Sequence, residues 1–219
     1  SGEVRCWGAG ALSQLGPGAR TDSASPVVVT GLRAVELGVG GSHACARLAD
    51  GAVACWGNND KGQLGDGTTR ARGKPEAVRN LRATQLALGR SHTCVRKEDG
   101  RVACWGWNGD GQLGDGTTPD RTRPVDVADL TGVLDVASGN GHTCARQSNG
   151  KASCWGWNAD GQLGDGTHET QAKPVLVTEL ATTRQLALGS RHTCGLDGDG
   201  GVLCWGRNDR GQLGSGGAQ

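Results

Sequence analysis

Short apolar runs of four to six residues alternate with Gly- and Asp-rich turns along the whole chain, and no stretch keeps a helical spacing. Four kinds of run recur in a fixed order. The first follows a proline, as in Pro26-Val27-Val28-Val29, Pro75-Glu76-Ala77-Val78, Pro124-Val125-Asp126-Val127 and Pro174-Val175-Leu176-Val177. A proline opening a short β-branched run suits an edge strand, because its missing N–H then faces solvent. The second alternates and stops at Gly, as in Gln85-Leu86-Ala87-Leu88-Gly89 and Gln185-Leu186-Ala187-Leu188-Gly189, which predicts a buried strand ended by a turn. The third is Ser91-His92-Thr93-Cys94 and its relatives at His43, His142 and His192. The fourth is Cys-Trp-Gly, beginning at Cys6, Cys55, Cys104, Cys154 and Cys204.

Successive Cys-Trp-Gly triplets are 49, 49, 50 and 50 residues apart. A period near fifty with four short strands per unit predicts an all-β fold of β-propeller blades, each of four antiparallel strands. The chain holds about four and a half such repeats: a partial one over 1–16, then 17–65, 66–114, 115–164 and 165–214, with a tail at 215–219. Four copies of the first three strands against five of the last do not complete a closed ring, so an open or partial propeller is expected. The open blade ends also leave self-assembly as an expectation.

The cysteines sharpen the third and fourth strands. Cys45 and Cys55, Cys94 and Cys104, Cys144 and Cys154, and Cys194 and Cys204 are each ten apart. Folding each segment so that its two Cys face one another leaves a three-residue loop ending in Gly, as in Glu98-Asp99-Gly100, the form of a type I turn with a G1 bulge. Counted back from that loop, each pair falls on a non-hydrogen-bonded rung, where Cα atoms are about 4.5 Å apart and a disulfide can close. Structural zinc sites space their cysteines two to four apart, so four disulfides are expected in place of a metal. That points to an oxidising location: secreted, periplasmic or cell surface. Cys6 is left over, and by the same register its partner would precede residue 1.

Composition adds limits. The aromatic content is seven Trp, with no Phe or Tyr, so the core must rest on Leu, Val, Ala and Trp. The net charge of +1 gives no concentrated positive field, and nucleic acid is not an expected partner. No apolar run approaches eighteen residues, so no membrane insertion is expected. A start at Ser1-Gly2-Glu3 reads as a processed or excised end, with Ser1-Gly2 as a tag scar. Its lack of a leader therefore bears on secretion in neither direction.

Several residues are candidates for chemistry. His43, His92, His142 and His192 recur once per blade, too far apart for one metal site, and each is read as hydrogen-bonded within its blade. The Asn108-Gly109-Asp110-Gly111 and Asn158-Ala159-Asp160-Gly161 loops, with Asp115 and Asp165, have too few oxygen ligands for an EF-hand and are read as turns. No nucleophile stands in a one-off setting beside a base, so neither catalysis nor a cofactor is expected.

The clearest repeat, Gly89 through His92, Thr93, Gly100, Val102, Trp105, Gly106, Asn108, Gly111, Gln112, Leu113 and Gly114, resembles the repeat of the regulator-of-chromosome-condensation family, and the resemblance spans nearly the whole chain. It implies a propeller that serves as a protein-binding platform. The nuclear nucleotide exchanger of that family inserts a hairpin for which the uniform spacing here leaves no room. The plant ultraviolet-B receptor carries Trp after the Gly of Gly-x-x-His-Thr, where this chain has Gly41, Arg90, Asn140 and Ser190. Secreted bacterial relatives include an inhibitor of β-lactamases, whose compartment fits although no motif identifies that target.

The expected function is therefore a non-catalytic module that binds a protein, or a glycan, with a spacer or stalk array as the alternative and an inhibitor of the β-lactamase-inhibitor type behind it. Positions fixed in all repeats are explained by packing, so specificity is expected where repeats differ: Ser42, Arg90, Ser91, Asn140, Ser190 and Arg191 in the Gly-x-x-His loops. Trp107 and Trp157, a second Trp present in only two repeats, are read either as contact anchors or as packing between blades.

Overall fold

The structure, a computed structural model, describes residues 2–18 and 20–217. Ser1 of the expected tag scar and residues 218–219 of the expected tail lie outside them. All regular structure in the described residues is β. Strands β1 (Glu3–Gly8) and β2 (Ser23–Arg33) pair by themselves. Three four-stranded antiparallel sheets follow: β3 (Glu36–Val39), β4 (His43–Arg47), β5 (Val53–Gly57) and β6 (Arg72–Ala77); β7 (Ala83–Leu88), β8 (His92–Lys97), β9 (Val102–Gly106) and β10 (Arg121–Asp126); β11 (Val133–Ser138), β12 (His142–Gln147), β13 (Ala152–Gly156) and β14 (Gln171–Leu176). The last sheet has three strands, β15 (Thr183–Leu188), β16 (His192–Asp197) and β17 (Val202–Gly206).

These are propeller blades, and the sheets do not close into a ring. Inner strands neighbour one another in the order β3, β7, β11 and β15. At the two ends Val39 and Val202 are 76 % and 68 % exposed, whereas the equivalent edges of the middle blades are covered.

The strand order corrects one expectation. The proline-bearing strand does not begin a blade with the three strands that follow it; β6, β10 and β14 close the blade of the Cys-Trp-Gly strand that precedes them. Sequence repeat and sheet are therefore out of phase. Pro75, Pro124 and Pro174 lie inside these strands, opposite places where the pairing slips register, as a residue without an N–H requires. The edge position itself is as expected.

Within each blade, Cys45–Cys55, Cys94–Cys104, Cys144–Cys154 and Cys194–Cys204 are bonded across the second and third strands. Their Cα atoms are 4.1 Å apart, the spacing of a non-hydrogen-bonded rung. The hairpin glycines Gly51, Gly100, Gly150 and Gly200 take φ between 74° and 91°, the left-handed conformation that the G1 bulge needs. Cys6, on β1, is a free thiol whose proton is held more tightly than usual by burial.

The core lies between sheets and not within them. One cluster joins Cys45, Val53 and Cys55 of the first full blade to Leu86, Val95 and Trp105 of the next, and the same arrangement repeats around Trp155. Trp56, Trp105 and Trp155 are wholly buried. Each blade thus completes its neighbour's core, which makes the array cooperative between adjacent units.

Candidate functional site

Each Cys-Trp-Gly strand after the first runs into a Gly-Gln-Leu-Gly loop, and at Gln63, Gln112 and Gln162 that loop is the socket for the next blade. The backbone carbonyl of Gln63 accepts both Trp105 Nε1–H (2.9 Å) and Thr93 Oγ1–H (2.9 Å). Gln112 does the same for Trp155 (2.9 Å) and Thr143 (3.1 Å), and Gln162 for Trp205 (3.0 Å) and Thr193 (2.9 Å). The threonine oxygen then takes a second bond, from the histidine of the preceding blade: His43 Nε2 to Thr93 at 2.9 Å, His92 to Thr143 at 3.0 Å and His142 to Thr193 at 2.9 Å.

His43, His92 and His142 therefore bond between blades and not within one, contrary to the reading from sequence. Because each threonine proton is committed to the glutamine carbonyl, the imidazole must be the donor. This fixes the neutral tautomer with hydrogen on Nε2. Nδ1 of His43, His92 and His142 is buried without a partner. Burial pushes the His43 pKa down to about 4; burial, with neighbouring histidines second, takes His92 and His142 to about 3.

The same packing explains the glycine of Gly-x-x-His. A Cβ at Gly40, Gly89, Gly139 or Gly189 would lie 2.0–2.4 Å from the imidazole Cε1 of the histidine three residues on. No larger residue fits there.

Replacing Thr143 by Val should test this relay, since it leaves the buried His92 N–H without an acceptor while keeping the volume. A loss of about 1–3 kcal/mol is expected, read as a lower midpoint in chemical denaturation, with Thr131→Val at an exposed position as the control. Equal midpoints for the two variants would contradict the relay.

The Asn-containing loops are likewise used internally. Asn108 Oδ1 accepts the Leu113 N–H, while its Nδ2 donates to Asp115 and to the carbonyls of Thr117 and Pro119. Asp115 is bonded to Thr117 and Arg121, and Asp66 to Thr68 and Arg72. Burial pushes these two carboxyls up, but the hydroxyl and arginine partners outweigh it and hold both below the ordinary range. Among the described residues no group of three His, Cys, Asp or Glu side chains is placed to hold a metal ion.

All eight variable positions gather on one face. Strand β8 begins where β9 ends, so the loop before the histidine and the loop after Cys-Trp-Gly sit at the same end of a blade. Trp107 N–H bonds the Ser91 carbonyl, Trp157 N–H that of Gly141, and Asn58 N–H that of Ser42. The Asn108 and Asn158 loops therefore adjoin the Gly-x-x-His loops.

Two rows result. Nearest the inner strands, Arg90, Asn140 and Ser190 are exposed and joined blade to blade: Arg90 N–H to the Asn140 carbonyl and Asn140 N–H to that of Ser190, both at 3.4 Å. Behind them stand Ser42, Ser91, Gly141 and Arg191, each against the residue that follows Cys-Trp-Gly.

Trp107 and Trp157 are half-buried in this second row. The Arg191 guanidinium lies 4.5 Å over the Trp157 ring, with Nη1 4.0 Å from Asp160 Oδ2. That stacking, and the part played in it by Asp160, escaped the sequence reading, which took the acids of these loops as turn residues. The available signal was the single slot holding Ser91, Gly141 and Arg191 beside a Trp present in only two repeats.

The family model for the RCC1-like domain matches residues 1–219. No curated protein resembles the chain closely enough to count as a match. Among solved structures, human WBSCR16 is similar with a TM-score of 0.85 and 26 % identity over 94 % of this chain and 56 % of that one. Prp20p from Saccharomyces cerevisiae, whose binding properties to Gsp1p and histones are part of its published description, has a TM-score of 0.60 at 23 % identity over 96 % and 67 %. The ectodomain of the Physcomitrella patens receptor kinase CR4 has a TM-score of 0.60 at 23 % identity over 97 % and 50 %. The chain thus spans about half to two thirds of these relatives.

Proposed function

The chain belongs to the RCC1-like domain family, and from that premise we propose that it is a non-catalytic protein-binding module whose contact surface is the face carrying Arg90, Asn140, Ser190 and Arg191. The observation that supports this is the division of labour between positions. Many of the residues shared by the repeats are consumed in holding blades together, whereas the Gly-x-x-His loop positions and the residues after Cys-Trp-Gly, which differ between repeats, lie on one face at the open ends of disulfide-closed hairpins. A rigid surface of varied polar groups orders little on binding and so loses little conformational entropy.

The partners named for related structures support protein as the ligand class. Arg90 and Arg191 favour a partner with acidic or carbonyl-rich patches, because a guanidinium recognises such groups through a fixed fork of donors. Four disulfides support an oxidising compartment, secreted, periplasmic or cell-surface.

The test is capture of partners by the intact, disulfide-bonded protein, followed by affinity measurement. Changing Arg90 and Arg191 together to Ala should weaken the captured partner at least tenfold and leave thermal stability nearly unchanged, as both side chains are exposed. Unaltered affinity would reject this face as the contact surface, and failure to capture any partner would return the spacer reading.

A further inference from the structure

The Arg191 stack has a vacant counterpart one repeat earlier. Trp107 and Asp110 stand fifty residues before Trp157 and Asp160, in loops of the same conformation, and Gly141 stands fifty before Arg191. The later site is filled from within the chain by a guanidinium stacked on indole beside a carboxylate. In the earlier one the cation is missing, because Gly141 has no side chain to supply it.

The vacancy points the right way. A Cβ at position 141 would stand 3.6 Å from Asp110 Oδ2 and 3.9 Å from the Trp107 ring at Cζ3, with the Trp157 Cβ at 3.5 Å on the other side. A side chain at position 141 would therefore start at ordinary contact distance from two tryptophans and one acid, with nothing that has to move. Among the described residues the Asp110 carboxylate forms no ion pair, and partial burial raises its pKa, so a cation beside it would relieve an unfavourable charge. Indole faces attract a guanidinium through their quadrupole, more strongly where water is excluded.

We propose that the cradle of Trp107, Asp110 and Gly141 is a binding site for an arginine side chain of a partner protein, held as Arg191 is held by Trp157 and Asp160. The inference rests on the proposed function only in placing a protein contact on this face. It adds a basic anchor on the partner, complementary to the acidic patch that Arg90 would meet. Arginine is preferred to lysine because a planar guanidinium can stack on indole and face a carboxylate at the same time.

The experiment uses N-acetyl-arginine amide as the probe and the indole N–H signals of the nitrogen-15-labelled protein as the readout, with Trp107 assigned through Trp107→Phe. The Trp107 signal should shift saturably, and the uncharged N-acetyl-citrulline amide should leave it in place. Asp110→Asn should weaken the probe at least fivefold. Gly141→Arg should abolish the response by filling the cradle from within, a change that the ordinary contacts around a Cβ at 141 permit, while Gly141→Ala keeps it. No Trp107 shift up to the probe's solubility limit, an equal shift with citrulline, or an undiminished response in Gly141→Arg would overturn the proposal. The probe reports on the cradle alone and partner capture on the Arg90 surface, so either can fail without the other.

Discussion

Reduction of the native protein is expected to unfold it at neutral pH without denaturant. Each disulfide closes a loop of eleven residues counted from Cys to Cys, worth about 2–3 kcal/mol through the entropy removed from the unfolded chain. Four of them sum to about 10 kcal/mol, comparable with the whole stability of an ordinary domain, about 5–15 kcal/mol. The reduced protein cannot recover this elsewhere. Its strands are short, its inter-sheet core has no Phe or Tyr, and each blade leans on its neighbour.

Two measurements check the prediction. The intact mass should rise by eight hydrogens on reduction, with peptides joining Cys94 to Cys104 and its three equivalents before it. Tryptophan emission should then shift to longer wavelength as Trp56, Trp105 and Trp155 meet water. A reduced protein that keeps buried tryptophans and a cooperative transition would show that packing alone carries the blades.

The second large effect is loss of stability in mild acid. His43, His92 and His142 are neutral in the folded protein, with pKa values lowered to about 4, 3 and 3, while the unfolded chain titrates near the ordinary 6.5. The unfolded state therefore binds protons first as pH falls. The stability these groups contribute is fully present above about 6.5 and is lost progressively down to the folded values of about 3–4. Well inside that window each histidine costs about 1.4 kcal/mol per pH unit, or about 4 kcal/mol for the three together.

Protonation has a structural cost besides. The new proton on Nδ1 of His43, His92 or His142 would be buried where that nitrogen has no partner. Asp66 and Asp115, held low by their threonine and arginine partners, begin to lose their contribution only as pH falls below the ordinary carboxylate value of 3.8. The two classes thus act in different windows. Denaturation of the oxidised protein should show midpoints that fall steeply between pH 6.5 and 4.5. Midpoints that stay level over that interval would contradict neutral buried histidines.

These two effects come from different levels of the molecule. The disulfide register was legible because it is local: ten residues between cysteines and a glycine-terminated loop leave one antiparallel pairing that puts two Cβ atoms together. The period, the four strands and the edge character of the proline strand were legible for the same reason. Turn chemistry and the missing proline N–H act within a few residues, so they leave marks in a single repeat.

What joins one repeat to the next left no such mark. A histidine that finds its threonine fifty or fifty-one residues away looks, along the chain, the same as one bonded at home, because three of the four repeats carry both residues side by side. The one break in the pattern, Ala44 where the later blades have Thr93, Thr143 and Thr193, becomes meaningful only when the bond is known to cross blades.

The phase of blade against repeat and the shared face of the Arg90 and Trp107 loops were decided in the same way, by which strand ends lie together in the folded sheet. So was the vacancy beside Trp107. The sequence by itself determined the unit, because backbone hydrogen bonding and turn geometry are local. Only the tertiary structure decided how units meet and what their common face presents, because burial between stacked sheets selects among contacts that a repeating sequence leaves equivalent.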